Sequence, residues 1–247
     1  MSDPTAPGES LDHTTALRLL REGTLSVEGR LVDASNATLL AEVTLDGTSR
    51  HCVYKPVAGE RPLWDFPDGT LAGREVAAYH VSEATGWSLV PPTVYRDGPF
   101  GPGMCQLWVE ADPAVDVVAL LRGDDPQLRR MAVFDAVINN ADRKGSHVLP
   151  VPGGHLYAID HGVCFAAEDK LRTLLWQWRG EPLTDEARTV LGALRMQVAA
   201  GSVRGELDHL LATNEVEAML DRIDVLLALG AHPYPSGDWP ALPWPPF

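Results

Sequence analysis

Apolar positions recur along this chain in two different periods, and the change between them divides it. Near the N-terminus Ala16, Leu17 and Leu20 fall on one helical face. Asp12 stands where an N-cap belongs, so a short helix is predicted to about Glu22. From residue 25 to residue 55 the pattern becomes strand-like, over 25–32, 38–45 and 50–55. The small polar run Asp33-Ala34-Ser35-Asn36-Ala37 separates the first two strands, and Asp46-Gly47 is a hairpin signal before the third. Residues 56–69 read as a loop. Helical spacing returns over 71–85 and stops at Gly86. Two more strands are predicted at 90–95 and 104–109, around a Gly/Pro-rich turn.

Glu110-Ala111-Asp112-Pro113 reads as a hinge, and beyond it the spacing is mainly helical. Helices are predicted over 113–121 and 127–139. A hairpin follows, pairing 148–151 with 155–159 across Pro152-Gly153-Gly154. Thr184 and Asn214 are candidate N-caps, the latter forming a capping box with Glu217, and Val216, Leu220, Ile223 and Leu227 give a core stripe. Residues 231–247 are rich in Pro and Trp. Proline prevents a helix there and the aromatics favour burial, so an extended strap over the surface is expected. The pattern therefore predicts an α+β protein: a loose tail (1–10), a β-rich part (11–110), a mostly helical part (111–230) and the strap (231–247).

With 247 residues the chain is long enough for one large domain or two small lobes with a substantial core. A net charge of −14 disfavours nucleic acid and anionic membrane surfaces as main partners. Cys52, Cys105 and Cys164 are dispersed and odd in number, with no zinc-ligand spacing, so buried reduced thiols are expected. The first ten residues are polar and no apolar run approaches the length that spans a membrane. A cytoplasmic location is the expectation.

Candidate chemistry lies at strand and helix ends. Lys55 closes the third strand in Val53-Tyr54-Lys55-Pro56, where it can project into a cleft and contact phosphates. Such a lysine needs an acid to fix its side chain, and Glu75 on the next helix is the candidate. The turn at Ser35 and Asn36 offers backbone N–H groups that can cover phosphates, although neither GxxxxGK[ST] nor GxGxxG is present. An apolar helix then delivers Asp142 to a loop, with Lys144 placed to neutralise phosphoryl charge and His147 as a possible metal ligand. Asp160 ends an apolar strand in Ile159-Asp160-His161-Gly162, 18 residues after Asp142. Two acids so spaced suit phosphoryl transfer: one orients a hydroxyl or accepts its proton, the other holds the metal on ATP. Each residue also has a plain structural reading, as a solvated charge, a helix end or a turn acid. Their order along the chain favours the chemical one. His161 is expected to serve packing.

Together these residues resemble the phosphatidylinositol 3-/4-kinase-like branch of the protein-kinase fold, over about residues 25–186. The likeness is nearest to compact bacterial members, an actinobacterial group among them. It implies a two-lobed protein-kinase-like α+β fold with a β-rich N-lobe and a mostly helical C-lobe. It places Lys55 at the nucleotide phosphates with Glu75 as its partner, and Gln106, Trp108 and Val109 in the adenine-binding hinge. Asp142 becomes the catalytic acid and Asp160 the metal-binding acid of a DxG motif. One position departs from the family pattern. The second metal ligand, an Asn five residues after the catalytic Asp, is His147 here. Imidazole suits Mn²⁺ better than Mg²⁺. ATP with Mg²⁺ or Mn²⁺ is the implied cofactor set.

The resemblance implies a kinase that moves a γ-phosphoryl group to a hydroxyl of a soluble metabolite, a protein or a lipid headgroup. The stretch 163–180, with Lys170, Arg172 and Arg179, is expected to shape acceptor choice, either by gripping an anionic acceptor or merely as a solvated loop. No basic amphipathic helix supports firm membrane binding. A catalytically weak or inactive nucleotide-binding regulator is the alternative, and an interaction protein using the Pro/Trp tail is a third class. AMP transfer, the acceptor and the oligomeric state stay open.

Overall fold

The computed structural model describes residues 11–31 and 36–247. The tail 1–10 and most of the turn before Asn36, Ser35 included, lie outside the described residues. Helix α1 (His13–Glu22) starts at Asp12, whose carboxylate accepts the Thr15 N–H. Strands β1 (Thr24–Arg30), β2 (Leu39–Leu45) and β3 (Thr48–Pro56) follow. Asp46 and Gly47 both have positive φ, 49° and 78°, which is what the tight hairpin between β2 and β3 requires. With β4 (Thr93–Gly98) and β5 (Gly101–Leu107) they form one antiparallel sheet in the order β1-β2-β3-β5-β4.

Helix α2 (Leu71–Thr85) ends at Gly86, in the left-handed region, as the pattern predicts. It is buried on nearly every side because it lies between two cores. One core is formed where α1 meets the sheet, with Leu19, Leu20, Val43 and Tyr54. The other is larger and draws α2 together with α4 (Pro126–Ile138), α5 (Asp185–Ala200), α6 (Ser202–Asp208) and α7 (Thr213–Leu229). The result is an antiparallel sheet in the N-terminal region and a helical C-terminal part. Among the described residues no helix is long and apolar enough to cross a membrane.

Several boundaries differ from the sequence pattern. The strand expected from residue 90 begins at Thr93, because Pro91 and Pro92 have no N–H to give a ladder. The helix expected over 113–121 shrinks to α3 (Val117–Leu121), since Asp116 caps it by accepting the Val118 and Ala119 N–H groups. Helix α7 starts after Ala212, not at Asn214. The Glu215 carboxylate reaches back to the Ala212 N–H at 3.0 Å, so the capping acid is Glu215 and Glu217 is left outside. The small hairpin β6 (Val148–Pro150) with β7 (Leu156–Ala158) is one to two residues shorter at its ends than expected.

Residues 231–247 run extended. The Ala241 carbonyl accepts the Thr173 N–H (3.2 Å) and the Trp176 indole N–H (2.9 Å), and the Pro246 carbonyl accepts the Gly145 N–H at 2.9 Å. Further back, Trp239 stacks on Trp64 with ring centroids 5.9 Å apart. The segment thus touches both the loop after β3 and the loop that carries Asp142.

Candidate active site

Lys55 leaves the end of β3 and finds two acids. Its Nζ lies 2.5 Å from Glu75 Oε1 and 2.8 Å from Asp160 Oδ1. Burial opposes the ammonium charge, but Asp160 and then Glu75 outweigh it and hold the Lys55 pKa above the ordinary lysine range. Glu75 is 2% exposed and sits on α2. Burial pushes its pKa up against the pull of Lys55. Its second oxygen accepts the His161 N–H at 2.9 Å, so one carboxylate ties the lysine to the loop that bears Asp160.

The position of Glu75 depends on how α2 begins. Thr70 makes no side-chain cap there. Instead Glu60, on the loop after β3, accepts the Leu71 and Ala72 N–H groups at 3.1 and 2.8 Å. A carboxylate at a helix N-terminus satisfies open donors and complements the dipole. Glu60 is not legible in the sequence, because nothing local marks a cap supplied from eleven residues away.

Asp160 follows β7 with φ of 63°, in the left-handed region that a non-glycine residue seldom occupies. Lys55 is the main cause that keeps its carboxyl below the ordinary range, with burial opposing and His147 assisting. His147 Nε2 lies 3.3 Å from Asp160 Oδ2. Burial holds the His147 pKa down at about 4 against the attraction of Asp160, so at neutral pH the ring is uncharged. A neutral imidazole and an ionised carboxylate are both competent metal ligands. Two donors 3.3 Å apart suit adjacent positions on one ion about 2.1 Å from each. Among the described residues no three His, Cys, Asp or Glu side chains form a ready-made metal cage.

Asp142 stands after α4, beyond Asn139, which caps that helix in the left-handed region with φ of 52°. Burial raises the Asp142 pKa, while the hydrogen bond and charge of Lys144 pull it back; Lys144 Nζ is 3.1 Å from Asp142 Oδ2. Beneath this loop Arg143 points inward. It pairs with Asp135, approaches His161 Nε2 at 2.7 Å and donates to the Ile159 carbonyl at 3.0 Å. His161 therefore does pack, as expected, and also forms part of the polar scaffold under both loops.

A cavity of about 510 Å³ opens beside these groups and is lined by Asn36, Lys55, Glu75, Asp142, Asp160 and Arg172, among others. Asn36 is held to the loop after β3 by accepting the Arg61 N–H at 2.9 Å. The expected hinge residues are not brought in: Gln106, Trp108 and Val109 do not line this cavity. The Gln106 side chain is turned inward to Thr93 Oγ1 at 2.9 Å, where a buried amide finds its partner. The Trp108 N–H donates to the His51 carbonyl and its indole N–H to Glu110. Lys144 and His147 also lie outside the lining, behind Asp142 and Asp160. Lys170, one of the three cations expected either to grip an anionic acceptor or to sit in a solvated loop, does neither: it is buried on Asp65 at 3.1 Å and sits over the Trp64, Phe66 and Trp239 rings. Arg179 is exposed and bonds the Trp176 carbonyl.

No protein-family model matches the chain. Protein Rv2133c of Mycobacterium tuberculosis is 46% identical over 264 aligned positions, which span 93% of this chain and 94% of that protein. Among solved structures, hydra Fam20 with sugar superposes with a TM-score of 0.58 at 14% identity, covering 87% of each chain. The Golgi casein kinase with Mn/ADP bound gives 0.54 at 14% identity, over 88% of this chain and 75% of that one. The Helicobacter pylori proinflammatory kinase CtkA gives 0.55 at 13% identity, over 85% and 97%. At such identities the likeness is one of fold: the α+β architecture is that of kinase-like proteins.

Proposed function

The chain belongs to the family of Protein Rv2133c, and from the geometry of its cleft we propose that it is an ATP-dependent phosphotransferase acting on a hydroxyl group. One observation carries the reading: the Lys55 ammonium sits between Glu75 and Asp160, at 2.5 and 2.8 Å. Strand, helix and loop each supply one member of this trio, from positions 20 and 105 residues apart from the lysine. A burial-driven structural ion pair needs one partner for the lysine. A second acid on the same lysine, 47% exposed at a cavity wall, is open to a ligand and fits a phosphate and metal site.

In this proposal Lys55, steered by Glu75, positions the nucleotide phosphates. Asp160 and His147 hold the divalent ion. A metal bound there would neutralise charge on the phosphoryl oxygens, and the Golgi casein kinase structure with Mn/ADP supports nucleotide and divalent metal as ligands of this fold. Asp142 orients the acceptor hydroxyl and accepts its proton, a role that a carboxylate made more basic by burial suits. Lys144 stays on Asp142 and steadies it. The order of lysine, helix glutamate, catalytic acid and DxG acid further supports a relation to phosphatidylinositol 3-/4-kinases.

Calorimetry with ATP and Mg²⁺, then Mn²⁺, tests the reading on wild type and Asp160→Ala. Metal-dependent binding that the variant loses is the expected result, followed by an acceptor screen with Asp142→Ala as control. Wild type that binds no ATP with either metal would sink it.

A further inference from the structure

The cavity beside Asp142 is lined by five carboxylates and by three cations, Lys55, Arg61 and Arg172, and these groups differ in how far the protein already engages them. Every carboxylate that lines it already has a donor on the protein. Glu60 holds the start of α2, Asp65 holds Lys170, Asp142 holds Lys144, and Glu75 and Asp160 share Lys55. Two lining arginines, Arg61 and Arg172, form no salt bridge within 4.0 Å among the described residues.

Arg172 is the better fixed of the two. Its N–H donates to the Asn140 carbonyl at 2.9 Å and its carbonyl accepts the Arg143 N–H at 3.0 Å, which locks it to the loop bearing Asp142. Its charge is felt at the Asp142 carboxyl. Its side chain makes only a 3.5 Å contact to the Leu242 carbonyl, and its Nε is buried with no protein acceptor. Five donors on a rigid planar fork, largely unused beside a proposed general base, are what planar or tetrahedral oxyanions require. The stacked Trp64 and Trp239 rings also line this cavity, with the Lys170 ammonium 5.5 and 5.0 Å from their centroids.

We infer that this cavity seats the acceptor, and that the acceptor is a small hydroxyl compound bearing a phosphate or carboxylate group, gripped by Arg172 with Arg61 while its carbon skeleton lies against the tryptophan pair. The inference rests on the phosphotransfer reading and gives that reaction its substrate class. Asp142, on the loop to which Arg172 is tied, would then face the hydroxyl and the two arginines the anionic end.

Three probes of one skeleton test it by calorimetry: glycerol 3-phosphate, glycerate and neutral glycerol. At least one anion should bind at millimolar concentration and glycerol should not, and the tighter anion tells phosphate from carboxylate. Arg172→Gln should weaken anion binding at least tenfold, Arg61→Gln severalfold, and Arg172→Lys less than Arg172→Gln, with unchanged thermal unfolding in the exposed Arg61→Gln protein as the folding control. A non-hydrolysable ATP analogue with Mn²⁺ should bind Arg172→Gln within about twofold of wild type and should not displace the anion. Anion affinity that ignores both arginines, glycerol binding as well as its anionic relatives, binding of neither anion, or competition between anion and nucleotide would each overturn the inference. Anion binding through Arg172 in a protein that binds no nucleotide would keep the anion site and remove the phosphotransfer reading instead.

Discussion

Arg143 and Asp135 form an ion pair in which neither side chain has any exposure to solvent, with Nη2 2.9 Å from Oδ1. The guanidinium also approaches His161 Nε2 and donates to the Ile159 carbonyl, on either side of Asp160. Its own backbone lies next to Asp142 and pairs with Arg172 and Leu174. One buried cation therefore sets the distance between the two loops that carry the proposed chemistry.

Removing one partner strands the other charge without water. Arg143→Met or Asp135→Asn should each lower stability by about 3–5 kcal/mol, and the double replacement by less than the sum. Urea unfolding of the two single variants and the double variant measures this. Single variants within about 1 kcal/mol of wild type would mean that the pair is not a structural tie.

Asp160 and Asp142 should separate binding from turnover. Asp160→Asn is expected to abolish metal-dependent nucleotide binding. Asp142→Asn should leave nucleotide affinity within a few-fold and lower transfer by about 10²–10⁴, the usual worth of a positioned general base. Calorimetry beside product formation reads both. Equal loss of nucleotide affinity in the two variants would place Asp142 on the nucleotide rather than on the acceptor.

His147 should tune the metal. Imidazole favours Mn²⁺ over Mg²⁺ more than an amide oxygen does, so His147→Asn should move the ratio of Mn²⁺- to Mg²⁺-supported nucleotide affinity toward Mg²⁺. Parallel titrations with the two ions decide it, and an unchanged ratio would remove His147 from the metal site.

Glu60 stands in for the missing N-cap of α2. Glu60→Ala should cost about 1 kcal/mol, as the loss of a helix cap does, and should loosen the segment that positions Glu75. Thermal unfolding gives the first effect. For the second, Glu60→Gln, which keeps one acceptor, should recover part of the loss of ATP affinity that Glu60→Ala shows.

Features that a single segment encodes were legible in the sequence. The sequence bounds helix α2 to the residue, because a helical stripe runs into Gly86, and glycine adopts the left-handed turn there without strain. The convergence of Lys55, Glu75 and Asp160 was suggested by strand end, helix and turn in order. Partners that only tertiary structure supplies were hidden. Lys170 reads as a solvated loop charge until Asp65, 105 residues earlier, is beside it. Gln106 looks available for a ligand until Thr93 across the strand pair claims its amide. Asn214 is a good capping residue by type, yet it falls inside the helix, which starts after Ala212 with Glu215 bonded both to the Ala212 N–H and to Arg74, 141 residues earlier in the chain. No local pattern announces Arg61, Trp64 and Trp239 as neighbours of one cavity.

His232 supplies a pH dependence of stability away from the proposed metal site. It is 4% exposed, its Nε2 has no protein acceptor, and it lies beside Trp178. Burial, helped by the charge of Arg129, holds its pKa down at about 4, below the ordinary value of 6.5. Between pH 4 and 6.5 the unfolded chain binds a proton that the folded chain refuses, so this residue makes stability rise with pH through that window and stay level above it. Its full effect by pH 4 is about 3 kcal/mol at most. Buried His147 and His161, also held neutral, act in the same direction and are common to wild type and variant. His232→Phe should therefore lose about 2 kcal/mol less than wild type when urea unfolding is compared at pH 7.5 and pH 5. Equal losses in the two proteins would show that the His232 ring takes up its proton in the folded state as readily as in the unfolded chain.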